Sequence, residues 1–546
     1  MYVSQRDYRA HFAPARTASV DHLIPITHEQ LSRVLSRLDG TGMAQLLRRG
    51  WVDIAGANHV RLVTSIVSDP YHLPQGPSGM RVLYSDHQMI IDEVTRRYGD
   101  EIKQRATNRL AVLHPEMSAF KVMTAWQCIA GIFIIGLVMA GIWFRPELTS
   151  LITVIAFSTF FISVSCLKLF SIFAHGKVQL PKGQILSDDQ LPMYTLLVPL
   201  FQETSILKQT IGALRTLNYP RHKLDVKIIV EEDDHSTRKM VAQLVPGTGF
   251  DIITVPRGSP QTKPRALNYA LFFARGDLVT IYDAEDIPQP MQLRLAAQRF
   301  AEAPDEIACL QARLAYYNTR ENWLTKQFSI EYASLFDLML PMLARFQLPL
   351  PLGGTSNHFR LSALRETGGW DAWNVTEDAD LGIRLARAGY QCEVLASTTF
   401  EEANCQLGNW FGQRARWLKG YMQTWLVHMR NPVRSIRELG FSGFFVSQLL
   451  IAGMIGSALL HPIFIAIMVH HFWMLDLSSA TFAEQIYNII ASAVFVLGYC
   501  ATMIAGIKAL YLRRLYILFP VVLTMPVYWL LISAGGWLAL WQLITA

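Results

Sequence analysis

Leu278-Val-Thr-Ile-Tyr-Asp283-Ala-Glu285-Asp286 is the stretch from which the rest of the chain can be read. A short run of apolar and β-branched residues reads as a buried parallel strand. Acids at its carboxyl end stand where open α/β sheets bind ligands. Carboxylates this close repel one another, and a divalent cation with oxygen ligands removes that cost. Mg²⁺ is commonly held by one or two carboxylates together with substrate phosphates. The stretch therefore reads either as a metal–diphosphate site built from Asp283, Glu285 and Asp286, or as a strand followed by an acidic turn.

Residues on either side repeat the pattern. Tyr194-Thr-Leu-Leu-Val-Pro-Leu, Val226-Lys-Ile-Ile-Val and Phe250-Asp-Ile-Ile-Thr-Val predict three more strands, with helices over 206–217 and 264–274. Such alternation predicts a parallel sheet covered by helices. We place this α/β domain at 191–429, where no membrane span interrupts it.

The flanks have a different character. Of 546 residues, 51% are hydrophobic and only 17% charged, too apolar for an ordinary soluble enzyme. Residues 125–144 and 151–167 are long apolar runs joined by a short link, so 125–174 predicts a transmembrane hairpin. Lys103, Arg105, Arg109 and Lys121 precede it and His175, Lys177 and Lys182 follow, which puts both ends in the cytoplasm. Lys168 is expected to snorkel to the interface. Residues 430–546 predict interface helices and about three spans, at 444–469, 489–507 and 517–532. The first is expected to kink or break at His461-Pro462, and a tail bearing Trp537 and Trp541 suits the interface. A net charge of +6 over this length gives no concentrated basic face and argues against a nucleic-acid partner. The six cysteines show no CxxC spacing and read as free thiols. Residues 1–124 predict a small, mainly helical cytoplasmic domain, with helical spacing at 28–38, 43–50 and 90–113. No apolar leader stands in Met1–Pro14.

Other candidate residues lie at strand ends and helix starts. Glu231-Glu232-Asp233-Asp234 follows the second strand. In Gly258-Ser-Pro-Gln-Thr-Lys263-Pro-Arg265-Ala-Leu-Asn268, Lys263 is a compact cation suited to phosphate, and a helix start favours an anion; the alternative is a solvated loop. Leu352-Gly-Gly354-Thr355-Ser356 lets a bulky ligand approach the backbone. Asn374-Val-Thr376-Glu377-Asp378-Ala-Asp380 opens a helix at 381–388. Thr376 or Glu377 suits a cap, while Asp378 suits a general base aimed at a hydroxyl. Gln413, Arg416 and Trp417 share one helical face; the alternative there is a basic interface helix with an aromatic anchor.

Taken together, Asp233-Asp234, Thr262-Lys263-Pro264 with Asn268, Asp283-Ala-Glu285, Thr376-Glu377-Asp378 and Gln413-x-x-Arg416-Trp417 resemble membrane-embedded family 2 glycosyltransferases. That group contains the cellulose, hyaluronan, chitin and glucomannan synthases. The resemblance runs from about Met193 to the C-terminus. It implies a cytoplasmic GT-A (Rossmann-like) domain between transmembrane segments of a bacterial inner membrane. It implies a UDP-sugar donor, Mg²⁺ or Mn²⁺, and inverting transfer to a growing β-linked polysaccharide that crosses the membrane through the enzyme's own spans. Asp233, with Glu232 or Asp234, would bind the nucleoside; Lys263 and Asn268 would lie on the donor. Asp283 and Glu285 would meet the metal, with Asp286 a competing ligand. Asp378 would be the base. Gln413, Arg416 and Trp417 would close over the donor, and Gly354, Thr355, Ser356, Glu377 and Trp417 would face the acceptor. Two rivals stand beside this reading: single transfer to a lipid-linked acceptor, and an inactive membrane scaffold or transporter subunit with a nucleotide-sensing N-terminus. The N-terminal segment separately resembles the N-terminal domains of type II secretion ATPases, some of which bind cyclic dinucleotides. A cyclic dinucleotide is therefore its candidate partner, with a packing or oligomerisation domain as the alternative.

Overall fold

The computed structural model describes residues 23–54, 60–65, 81–176, 178, 180–181, 183, 185–245, 248–474 and 482–545. Lys177, Lys182 and Met1–Pro14 lie outside the described residues. The chain divides into two units, Met1–Gly99 and Asp100–Ala546.

The first unit carries the expected helices. His28–Leu35 opens on a capping box, Gln30 N donating to Thr27 Oγ1 at 3.3 Å and Thr27 N to Gln30 Oε1 at 3.0 Å. Gly40–Arg49 ends at Gly50, whose φ of 80° suits glycine. The sequence reading did not anticipate a sheet here. β1 (Leu23–Pro25), β2 (Trp51–Ile54), β3 (Val60–Thr64) and β4 (Arg81–Ser85) pair in the order β1-β4-β3-β2. Strands of three to five residues are too short to display a period.

In the second unit, eight strands form one sheet. They are β5 (Tyr194–Leu200), β6 (Leu224–Glu231), β7 (Asp251–Val255), β8 (Leu278–Ile281), β9 (Ile287–Pro288), β10 (Ile307–Tyr316), β11 (Asn357–Arg360) and β12 (Gln391–Glu401), ordered β7-β6-β5-β8-β11-β10-β12-β9. The first four are parallel, as expected. Leu196, Val198, Ile228, Val230 and Leu310 form the centre of the core, each no more than 1% exposed. β6 is buried along both faces. Its Lys227 survives there because Asp225 and Asp251 accept from Nζ at 2.8 and 2.6 Å.

The sheet departs from the predicted all-parallel form at β11, which runs antiparallel to β8 and β10. His358 pairs with Thr280 and Arg360 with Leu278, so β11 begins where β8 ends. The reversal carries the loop before β11 to the carboxyl end of β8, and Ser356 N donates to Ile281 O at 2.9 Å.

Among the described residues, five helical runs are long and apolar enough to cross a membrane: Ala125–Phe144, Pro146–Ala174, Pro432–Ala466, Ser492–Leu512 and Tyr516–Thr545. Two details differ from the sequence reading. The helix Gly453–Met474 continues through Pro462; the irregularities fall earlier, at Gly440 (φ 69°) and in the π-helical turn Gln448–Ala452. The stretch 517–532 and the Trp-bearing tail form a single run.

Candidate active site

β5, β6 and β8 all point their carboxyl ends at one side of the sheet, and β12 ends beside them. Lys263 opens the helix Lys263–Leu271 on that side, its Nζ 2.5 Å from Asp283 Oδ1 and 2.9 Å from the Gly354 carbonyl. Burial disfavours the ammonium, but Asp283 and Glu377 hold its pKa above the ordinary lysine value. Around Asp283 the acids are crowded. Burial and the Asp283 charge raise Glu285 to about 7. Burial first, then Asp286, Asp283 and Glu285, raise Glu401; burial and Asp283 raise Glu203.

This electrostatic strain is a test for a metal. Asp283 and Glu285 both line the cavity below, and burial together with the Asp283 charge penalises the ionised form of Glu285, so a divalent cation with oxygen ligands fits them. Among the described residues no three His, Cys, Asp or Glu side chains form a complete ligand set. The fit is to a cation shared with a diphosphate, which needs only one or two carboxylates. Asp286 stands off the cavity wall, with Oδ1 buried and unpartnered. Its Oδ2 accepts from Asp283 N at 2.8 Å and from the Thr355 hydroxyl, and it is 3% exposed. The residue expected as a competing ligand braces the turn instead.

The helix Glu377–Arg387 starts earlier than predicted, which puts Asp378 in its first turn. Thr376 holds the cap position but makes no capping bond; its hydroxyl lies 3.3 Å from that of Thr424. Ala379 N donates to Asp378 Oδ1 at 2.8 Å. Burial raises Asp378 to about 6, against the pull of Ala379 N–H and Lys263. Burial, then the Asp378 charge, raises Glu377 to about 8. The pair therefore separates into an acid that ionises near 6 and one that stays protonated above it.

The helix Leu407–His428 brings Gln413, Arg416 and Trp417 to the same space. Gln413 Oε1 accepts from Asn404 Nδ2 at 3.0 Å. Arg416 is exposed and makes no ion pair among the described residues. The Trp417 ring meets Phe328 edge-on at 6.1 Å. Gly420 lets this helix touch the loop that leads into Asp378: a Cβ there would lie 2.5 Å from Thr376 Cγ2 and 2.7 Å from Thr376 N.

One cavity of about 1480 Å³ joins these groups. Lys263, Asp283, Glu285, Gly354, Thr355, Glu377, Asp378, Gln413, Arg416 and Trp417 all line it. It continues between the apolar helices, along a face of Pro146–Ala174 that carries Ser150, Thr153, Phe157, Phe161, Lys168 and Ser171. Lys168 turns into this cavity, its Nζ donating to Thr502 Oγ1 at 3.0 Å, where the sequence reading had it snorkelling to the interface.

Several predicted residues stand elsewhere. Asp233 is one residue back from the wall, accepting from Gln261 Nε2 at 2.8 Å. Glu232 accepts from Arg257 N at 2.9 Å. Asp234 is the N-cap of His235–Leu244 and also accepts from Gln202 N, so its oxygens are spent on backbone. Asn268 clamps Trp370, donating to its carbonyl at 2.7 Å and accepting from its N–H at 3.0 Å, and donates to Ala106 O as well. Ser356 is fully buried and donates to Thr399 Oγ1. Sequence reasoning missed Glu401, Glu402, Asn404, Glu331 and Tyr421 on the cavity wall. Glu401-Glu402 had a readable signal, since they too end a strand.

These features define a class: a Rossmann-like α/β sheet whose strand ends carry an acid–lysine site, set among membrane-length helices. Residues 192–420 match the family model described as Glycosyltransferase like family 2. Probable glycosyltransferase YdaM of Bacillus subtilis (strain 168) is 25% identical over 234 residues, 42% of this chain and 56% of the relative. Glucomannan 4-beta-mannosyltransferase 2 of Arabidopsis thaliana is 26% identical over 213 residues, 38% of this chain and 40% of the relative. The chain thus matches less than two thirds of the length of either. Among solved structures, mannosyltransferase PcManGT from Pyrobaculum calidifontis, in complex with GDP-Man and Mn²⁺, overlaps 72% of this chain and 97% of its own, with a TM-score of 0.47 and 16% identity. S. aureus TarS 1-349 in complex with UDP-GlcNAc overlaps 60% and 89%, with a TM-score of 0.32 and 12% identity. The family match begins at residue 192, beyond the N-terminal unit, and lends no support to a cyclic dinucleotide there.

Proposed function

We propose that this protein is an inverting, processive glycosyltransferase of a bacterial inner membrane. Its catalytic domain faces the cytoplasm. It takes sugar from a nucleotide donor, adds it to a β-linked polysaccharide, and passes the product outward between its own helices. The donor is a UDP-sugar; the name of the Arabidopsis relative makes an activated mannose the second donor class to test.

One observation carries the reading. A single cavity holds Lys263, Asp283, Asp378 and Trp417 and also runs along Pro146–Ala174 from Thr149 to Ser171. At 1.5 Å per residue that stretch is about 33 Å long, as long as a hydrocarbon core of roughly 30 Å is thick. Hydroxyls and aromatic rings line it, which suits a sugar chain.

Asp378 takes the proton of the acceptor hydroxyl as that oxygen bonds to the anomeric carbon. The bond from that carbon to the diphosphate breaks on the opposite face, and the configuration inverts. Lys263 and Arg416 hold the departing diphosphate, and Trp417 gives the acceptor sugar a stacking surface. Asp283 and Glu285 would hold Mg²⁺ or Mn²⁺, whose contribution is to stabilise charge on the leaving group.

The experiment is to supply membrane vesicles containing the protein with UDP-glucose, UDP-N-acetylglucosamine, UDP-glucuronate and GDP-mannose. Nucleotide release and product size are measured. Nucleotide release with a long polymer is expected. A single added sugar on lipid would establish the non-processive rival, and no release from any donor would establish the scaffold.

A further inference from the structure

Arg414 lies between Gln413 and Arg416 in sequence and on the wall of the same cavity, yet it is only 5% exposed. Its guanidinium carbon is 4.4 Å from the Phe328 ring, 4.9 Å from Trp417, 5.4 Å from Trp410 and 5.7 Å from Tyr528. Nη1 donates to Glu331 Oε1 and Nη2 to the Tyr528 hydroxyl, each at 2.7 Å. Tyr528 in turn donates to Glu331 Oε2 at 2.8 Å. Three helices meet here: Leu407–His428, Trp323–Ser334 and Met525–Thr545. A Cβ on Gly535 would sit 3.4 Å from Arg414 Cβ, so the last helix and the Trp417 helix are in close contact. A buried charge paired with a carboxylate is costly to disturb on one side only. A planar fork that meets a carboxylate and lies against rings has a defined orientation, which an ammonium lacks.

We infer that Arg414 is a positioning residue: held by Glu331 and Tyr528, it fixes the plane of the Trp417 indole at the cavity wall. Trp417 follows Arg414 by three residues, so guanidinium and indole stand on one helical face. The last membrane helix thereby takes part in setting the surface on which the acceptor sugar stacks. This rests on the acceptor role proposed for Trp417.

The full-length protein in proteoliposomes provides the test, with whichever of UDP-glucose, UDP-N-acetylglucosamine, UDP-glucuronate and GDP-mannose the wild type consumes. Arg414→Lys is expected to lower kcat about tenfold while the KM for the sugar nucleotide stays within about twofold. Tyr528→Phe is expected to lower kcat about threefold. In a Trp417→Phe background, Arg414→Lys should cost less than about twofold more, because both changes remove one arrangement. Effects that multiply in the double variant, a change confined to the KM of the donor, or an unchanged kcat each overturn the inference. If Arg414→Lys does not accumulate as folded protein, Tyr528→Phe in the same cycle decides the matter. Fluorine NMR of protein labelled with fluorotryptophan gives a readout that does not need turnover, with Trp417→Phe assigning the signal. Tyr528→Phe or Arg414→Lys should shift or broaden the Trp417 resonance, and an unmoved resonance overturns the inference. A wild type that releases no nucleotide fails the functional reading alone, and the resonance still decides the positioning role.

Discussion

Lys263 donates to Asp283 at 2.5 Å and to the carbonyl of Gly354 at 2.9 Å, so one ammonium ties the end of β8 to the loop before β11. Removing it leaves the crowded acids uncompensated. Lys263→Met is expected to weaken nucleotide binding about tenfold, roughly 1.4 kcal/mol, with Lys263→Arg intermediate. Titration calorimetry with UDP and GDP checks this, and unchanged affinity would assign Lys263 to the fold alone.

Asp378 tests the chemistry separately from binding. Asp378→Asn keeps the shape and the bond from Ala379 N but removes the base. Turnover should fall by about 10²–10⁴ while nucleotide affinity stays within about twofold of wild type. If binding collapses as well, the residue is structural.

The rate should also follow pH with a defined sign. Asp378 is raised to about 6 by burial, so its basic form accumulates only above that value. Glu377, raised to about 8 by burial and by Asp378, keeps its proton through the same window. Turnover should therefore climb between about pH 5 and 7, with an apparent pKa near that of Asp378. A rate independent of pH over this range would remove Asp378 as the base.

Chelation addresses Asp283 and Glu285. Stripping divalent ions should weaken nucleotide binding about tenfold or more, and adding Mn²⁺ or Mg²⁺ should restore it. In Asp283→Asn the dependence on added metal should be largely lost. Binding that ignores both chelator and metal would leave Lys263 and Arg416 as the whole diphosphate site.

Gly420→Ala probes the contact between the Trp417 helix and the loop that leads into Asp378. The added methyl would meet Thr376 Cγ2 at 2.5 Å and its backbone N at 2.7 Å. Overpacking of this kind costs about 1–3 kcal/mol. A lower Tm and a loss of turnover at unchanged nucleotide affinity are expected, since Asp378 follows Thr376 by two residues. A variant with wild-type Tm and rate would show that the loop yields freely.

How much was legible varied with the physics of each segment. β5, β6, β7 and β8 are continuous apolar runs, and the sequence reading met them within two residues. β11 was missed because Asn357–Arg360 carries little apolar signal; its place comes from pairing with β8 and β10. The acids divided likewise. Asp283, Glu285 and Asp378 reach the cavity, while Asp234 caps a helix and Asp286 braces a turn. A carboxylate beside a strand end reads alike in either role, because its use depends on which donors the fold brings to it. Asn268 and Ser356 were lost to backbone and side-chain partners distant in the chain.

Local order alone was enough for the apolar membrane runs, the alternation of strand and helix, and the chemical types gathered at strand ends, because burial period and charge are properties of neighbouring residues. The reversal at β11, the joining of the strand-end acids and the membrane-length helices into one cavity, and the pairing of Arg414 with Glu331 and Tyr528 depend on contacts between residues far apart in the chain. Only the packed structure could decide those, since each arises from which surfaces meet after folding and leaves no periodic trace along the chain.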